Sequence, residues 1–210
     1  LTEATGVWAY TLNNADTDTD QLDAGDQVTD TLAAVATDSS GASDSITVTV
    51  TVNGANDAPS TSTPSTQSGT EDTTFTGYAI SDFPFTDVDD GDSALTSITI
   101  TVVESSGALT KSTDGANWVA VSANDVILAA HIQHLKLAPA TNSNADVTFT
   151  FTVQDGATSS GAAVMTTSFA AQNDVPTWTG TAADVTTNED TAKTITGSVI
   201  ADVDDTSLDS

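Results

Sequence analysis

Cysteine and arginine are both absent from this chain of 210 residues, lysine occurs three times, and aromatic residues make up only 5%. Without cysteine no disulfide can staple the fold and no thiol can carry redox chemistry, although the compartment is left open. Without clusters of Lys and Arg there is nothing to meet phosphates, which excludes a nucleic-acid partner and an anionic membrane surface. The longest apolar run, VILAAHI at 126–132, falls far short of the ~20 residues a membrane helix requires, so no membrane insertion is expected in this segment. No secretion signal pattern opens the chain, which begins at Leu1 rather than Met and reads as a segment of something longer.

What the chain has is acid. Thirty Asp and Glu residues give a formal charge of −27, so internal salt bridges cannot neutralise it. Such acidity often means disorder, but here 38% of residues are hydrophobic and only 16% charged. Folded β structure is therefore expected. SITVTVTV at 45–52, LTSITITVV at 95–103 and DVTFTFTV at 146–153 alternate apolar residues with threonine, the period-2 pattern of strands with one buried face. Clusters of Gly, Asp, Asn and Ser supply the turns. Only SANDVILAAHIQHL at 122–135 suggests a short helical turn. Seven or so short strands per ~100 residues predict an all-β architecture of tandem immunoglobulin-like Greek-key β-sandwiches.

The chain also repeats itself. NDAP at 56–59 returns as NDVP at 173–176, EDT at 71–73 returns at 189–191, and DVDD at 87–90 returns at 202–205. Asp38 and Asp155 occupy matching places in the stretches that precede the two NDxP motifs. The period is one domain long, which divides the chain into the back part of one repeat (1–55), a complete repeat (56–172) and the front of a third (173–210).

Strand parity predicts where the acids gather. If the linker carrying Asp57 enters the complete repeat at one end, the first strand starts near Glu71, the second returns to deliver the DVDDGD loop at 87–92, and VTFTFTV climbs to Asp155 at that same end. The preceding repeat finishes there too, which brings Asp23 and Asp26 of LDAGDQ towards the junction. Carboxylates gathered this way repel by more than a kcal/mol per close pair at an effective dielectric of about 20, unless a cation sits between them. Calcium fits, since it takes six to eight oxygen ligands. Zinc and copper prefer thiolate or imidazole, and His131 and His134 are the only histidines. The stretch DTDTDQLDAGDQ at 16–27 fails as an EF-hand, with Gln21 where glycine is needed and Gln27 where a bidentate glutamate belongs.

NGANDAP, EDT, DVDDGD and VQDG, in that order, resemble the cadherin-like tandem repeats of very large bacterial surface adhesins, many exported as RTX-type proteins. The opening stretch, GVWAYTLNNADTDTDQLDAGDQVTDTLAAVATD, resembles the back half of the VCBS-type repeat that alternates with them. The resemblance implies calcium bound between repeats. Asn56 and Asp57 would supply the linker ligands, Glu71 the first-strand ligand, Asp87 and Asp89 the DxD pair, and Asp155 the closing ligand. Asp174, Glu189, Asp202 and Asp204 would repeat the scheme, less completely, because DVDDTS lacks the glycine and no counterpart of Asp155 follows. Calcium would stiffen the string of modules into an extracellular rod on the bacterial cell surface that projects a binding tip for cell adhesion or biofilm formation. The expected partners are calcium ions and neighbouring repeats, with surface glycans or other copies in a fibre as further possibilities.

Two other functions stay open: a subunit of an extracellular fibre or surface layer, and a carbohydrate- or ice-binding module, which would show a flat threonine face or an exposed Trp. No enzyme is expected, because no GxSxG elbow occurs and aromatics are too few to line a glycosidase cleft. Trp8 and Trp118 are expected in the core, and Trp178 in a linker region. HIQH at 131–134 lacks a third ligand, and nothing supplies an acid for an isopeptide crosslink at Lys111, Lys136 or Lys193.

Overall fold

The structure, a computed structural model, describes residues 9–89, 94–103, 106–179, 186–194 and 199–204. Trp8 and the Asp90 to Asp92 part of the acidic loop lie outside the described residues. The described chain is mostly β-strand in several sheets, with little helix.

The alternating segments form the strands expected of them. β1 (Gln27–Thr37) and β2 (Ser43–Asn53) make a long antiparallel ribbon. Threonines 29, 31, 47, 49 and 51 pair on one face, while Val28, Leu32 and Ala34 meet Val52, Val48 and Ile46 on the other. A two-stranded ribbon has no second layer with which to bury its apolar face. Ile46 accordingly remains 66% exposed and Leu32 62%.

Residues 56–172 hold the core. A five-stranded sheet runs in the order β3 (Gln67–Thr70), β10 (Ala163–Ala170), β9 (Val147–Gln154), β4 (Ser97–Val102), β7 (Asp125–Leu128). A three-stranded sheet runs β6 (Val119–Ala120), β5 (Ala108–Lys111), β8 (Leu135–Ala138). In β9 every second residue is buried, so Val147, Phe149, Phe151 and Val153 face inward while the intervening threonines remain partly exposed. They meet Ile98 and Ile100 of β4, Met165 of β10 and Leu135 and Leu137 of β8 in one continuous core. Phe83 meets Phe151 edge-on at 4.9 Å, and the buried Tyr78 hydroxyl shares a 2.7 Å hydrogen bond with that of Thr167. Lys111 of one sheet pairs with Asp125 of the other at 2.9 Å.

Three expectations need correction. First, the opening strand does not start at Glu71. It is β3, which ends just before Glu71 and runs parallel to β10. The stretch 58–66 is rich in Ser, Thr and Pro without apolar alternation, so nothing in it marked the true direction. Second, the short helical turn expected in SANDVILAAHIQHL is present but confined to a 3-10 helix (Ala129–His134), the residues before it forming β7; Ile127 and Ile132 both reach the core. Third, Trp118 is half-buried outside the core, with the Lys136 Nζ 3.5 Å from its ring centroid. The chain leaves the core through β11 (Thr177–Thr179), which pairs with β12 (Val199–Ala201), and Trp178 on it is 63% exposed. Among the described residues no helix is long and apolar enough to cross a membrane.

Candidate functional site

The acids collect at both ends of the β9 and β10 pair. At the first end, Asp155 follows β9 and caps its own turn. One carboxylate oxygen accepts the N–H groups of Ala157 and Thr158 at 2.6 and 2.7 Å; the other accepts the Thr158 hydroxyl at 2.9 Å and the Asn56 amide at 3.3 Å. Burial raises the Asp155 pKa, but these donors outweigh it and hold the carboxyl below the ordinary range. Asp155 thus ties the linker to the module. A two-stranded bridge from Ser60 to Thr86 then sets the following loop beside the linker. There the Asp57 N–H donates to Asp89 Oδ2 at 2.7 Å, and the Asp89 N–H donates to Asp87 Oδ1 at 3.3 Å.

The second end repeats that clasp. The Asp174 N–H donates to Asp204 Oδ2 at 2.5 Å, and the Asp204 N–H to Asp202 Oδ1 at 2.8 Å. In both linkers the asparagine amide also donates to the next carbonyl, Asn56 to Asp57 and Asn173 to Asp174. The EDT turns match too, since Asp72 and Asp190 share the left-handed backbone, with φ of 58° and 60°.

Glu71 belongs to this second end, not to the first. Its N–H donates to Ala170 O at 3.0 Å and its Oε1 accepts the Gln172 N–H at 2.6 Å, which leaves the side chain 3% exposed. Since β9 and β10 are antiparallel, Ala170 lies at the opposite end from Asp155. Burial raises the Asp174 pKa, as do the charges of Asp72, Asp204, Glu71 and Asp202. Glu189 is exposed and is not among those charges. Its place in the sequence repeat is that of Glu71. Sequence reasoning missed Asp72, although its position next to Glu71 in EDT was a usable signal. It also missed Asn142 and Asn144, which line a groove of ≈ 470 Å³ with Glu71 and Asp204.

At the first end burial raises the Asp89 pKa, and the charges of Asp57, Asp87 and Asp23 add to the rise against the opposing Asp57 N–H bond. Asp23 is therefore near enough for its charge to act on Asp89. Among the described residues, three buried carboxylate oxygens have no hydrogen-bond donor: Asp87 Oδ2, Asp89 Oδ1 and Asp174 Oδ2. An unpartnered buried carboxylate oxygen costs free energy unless a cation meets it. The donors around both junctions are all oxygens, which suits a hard cation such as calcium. Among the described residues no three His, Cys, Asp or Glu side chains are already drawn into a group that could close on a metal. His131 and His134 stack on each other at 6.2 Å on the 3-10 helix.

No family model matches this chain. A search of the curated proteins found no match either.

Proposed function

We propose that this chain is a run of extender modules from a large bacterial surface adhesin, with immunoglobulin-like, cadherin-like Greek-key sandwiches stiffened by calcium at their junctions. The observation that carries the reading is the repeated clasp. Linker aspartates 57 and 174 each donate a backbone N–H to the second acid of a DxD pair, and each clasp includes a buried carboxylate oxygen without a donor. The pairing of β3 with β10 also supports it, because it puts Glu71 of the complete module beside the linker to the next.

Calcium would supply positive charge shared by the two modules and their linker. At the first junction Asp57, Asp87 and Asp89 would hold it, with Asn56 and Asp155 fixing the linker; at the second, Glu71, Asp174, Asp202 and Asp204 would. A joint held from three directions loses its hinge, so a string of modules becomes a rod that carries a binding tip away from the cell surface. Extracellular sites of this type bind at ~0.1–1 mM, so the modules would stiffen after export rather than in a calcium-poor cytosol. No reaction is assigned to the chain.

Small-angle scattering of the chain with excess calcium and then with chelator tests the reading. The expected result is a longer maximum dimension and a higher melting temperature with calcium. An unchanged scattering profile and an unchanged melting temperature would refute it. A second reading, a carbohydrate- or ice-binding surface, is favoured by the exposed threonine face of the β1–β2 ribbon and by Trp178. Retention on immobilised polysaccharide or on ice, lost in Thr49→Leu or Trp178→Ala, would support it.

A further inference from the structure

The five-stranded sheet ends in β3 on one side and β7 on the other. β3 is QSGT, whose side chains offer a neighbour nothing apolar. β7 is different: Val126 and Leu128 are 52% and 54% exposed, while Ile127 between them is buried. Beside β7 a groove of ≈ 410 Å³ opens between the edges of the two sheets, and Val119 of β6 joins Val126, Ile127 and Leu128 in lining it.

The backbone of β7 is open on that side too. Ile127 lies opposite Ile98 of β4, and the Ala129 N–H donates to Thr96 O at 2.9 Å. Bonding alternates along an antiparallel ladder, so Ile127 turns its backbone groups to β4, while the N–H and C=O of Val126 and the N–H of Leu128 point away from the sheet. Among the described residues no strand lies beyond β7 to meet them. Edge strands are commonly guarded by lysine, proline or a charge, and residues 126–128 carry none of these.

Charge sets this edge apart from the rest of the molecule. Residues 111–136 hold two lysines, Lys111 and Lys136, and two acids, Asp114 and Asp125, so their formal charge is zero in a chain of −27. Both histidines belong to the same stretch. Lys111 pairs with Asp125 of β7 at 2.9 Å and lines the groove with His131, and the Lys136 Nζ lies over Trp118 next to Val119. Two copies of so acidic a chain repel wherever their acids face each other, and this balanced edge is where they can approach. We propose that β7 is a self-pairing edge at which two copies of the chain join side by side, Val126 of each exchanging backbone hydrogen bonds with Val126 of the other across a two-fold axis. The symmetry satisfies both outward groups of Val126 at once and brings the exposed Val126 and Leu128 side chains of the two copies together. Extender modules paired in this way would run alongside one another, a lateral contact distinct from the end-to-end junctions.

Sedimentation equilibrium of the 210-residue chain, in chelator so that the junctions take no part and in ~0.5 M salt to screen the overall charge, tests this. A monomer–dimer equilibrium is expected, populated by ~1 mM protein, as befits a small interface. Val126→Glu should weaken it by roughly tenfold or more, because like charges then face each other across the axis. Val126→Ile should leave it intact. Ile46→Glu makes the same charge change on the exposed face of the β1–β2 ribbon and should have no such effect. Leu128→Glu offers a second, independent disruption, and the melting temperature of each variant reports whether the module is still folded. Amide signals of Val126 and Leu128 should shift with protein concentration in NMR spectra. A chain that stays monomeric to ~1 mM, or a dimer that Ile46→Glu dissolves and Val126→Glu and Leu128→Glu do not, would overturn the proposal and leave the calcium reading as it stands.

Discussion

Glu71 Oε1 accepts the backbone N–H of Gln172 at 2.6 Å, so the acid that follows the first strand of the complete module closes over the segment that leaves its last strand. The pair lies 101 residues apart in the chain and fixes the start of the linker to the module behind it. Glu71→Ala would leave the Gln172 N–H without its acceptor. The expected loss is about 1–3 kcal/mol in thermal or urea unfolding, and calcium uptake should fall at the Asp174 junction but not at the Asp57 junction.

Asp89→Asn separates the two roles of that residue. Its buried charge is repelled by Asp57, Asp87 and Asp23, so a neutral amide of the same shape should raise the melting temperature of the calcium-free chain. A gain of a few degrees corresponds to about 1 kcal/mol for a chain of this size. The same substitution should remove most of the extra stability that calcium confers. Scanning calorimetry with chelator and with calcium reads both effects, and a lower melting temperature in chelator would contradict the repulsion argument.

Acid should weaken the complete module through carboxyls far from the junctions. Asp114 is held well below the usual carboxylate range, first by the Asn117 N–H, then by the Ala116 N–H, the Asn117 amide and the Ser112 hydroxyl. Asp125 is lowered by the Ser122 N–H and then by Lys111. For a depressed carboxyl the stabilisation is present above the unfolded-state value of about 3.9 and is lost as pH falls through the folded-state value. Unfolding free energy should therefore drop from pH ~5 downward, and Asp114→Asn and Asp125→Asn should each flatten that slope. An equal slope in both variants would show that these carboxyls do not set it.

Core and ribbon should respond very differently to the loss of apolar groups. Phe151 is fully buried against Phe83, and Phe151→Ala should cost about 3–5 kcal/mol in urea unfolding. Ile46→Thr, on the exposed face of the β1–β2 ribbon, should stay within about 0.5 kcal/mol. A large loss at Ile46 would mean that this face is covered in solution.

The strands were the most legible part of the chain. VTFTFTV could only bury one face, and its valines and phenylalanines do enter the core while its threonines do not. The gathering of Asp57, Asp87, Asp89 and Asp155 followed from counting strand directions, since β9 and the loop after Thr86 do reach the linker. Glu71 was put at the wrong end because the count depends on every strand being seen. β3 is QSGT, four residues with no apolar alternation, and it is held by its pairing with β10 rather than by any property of its own. Trp118 was misread for a related reason: an aromatic in a strand-like stretch gives no sign of which side it faces, and here Lys136 covers it from outside.

By itself the sequence determined the β character, the repeat of 117 residues between Asn56 and Asn173, and the excess of acid that needs a counter-charge. Those are properties of composition and local periodicity, and no tertiary contact is required to express them. The tertiary structure alone decided at which end Glu71 and Asp72 lie. It put the charges of Glu71 and Asp72 beside Asp174. The physical reason is that proximity between distant residues depends on the direction of every intervening strand, and a single short strand stabilised only by its neighbour reverses the outcome.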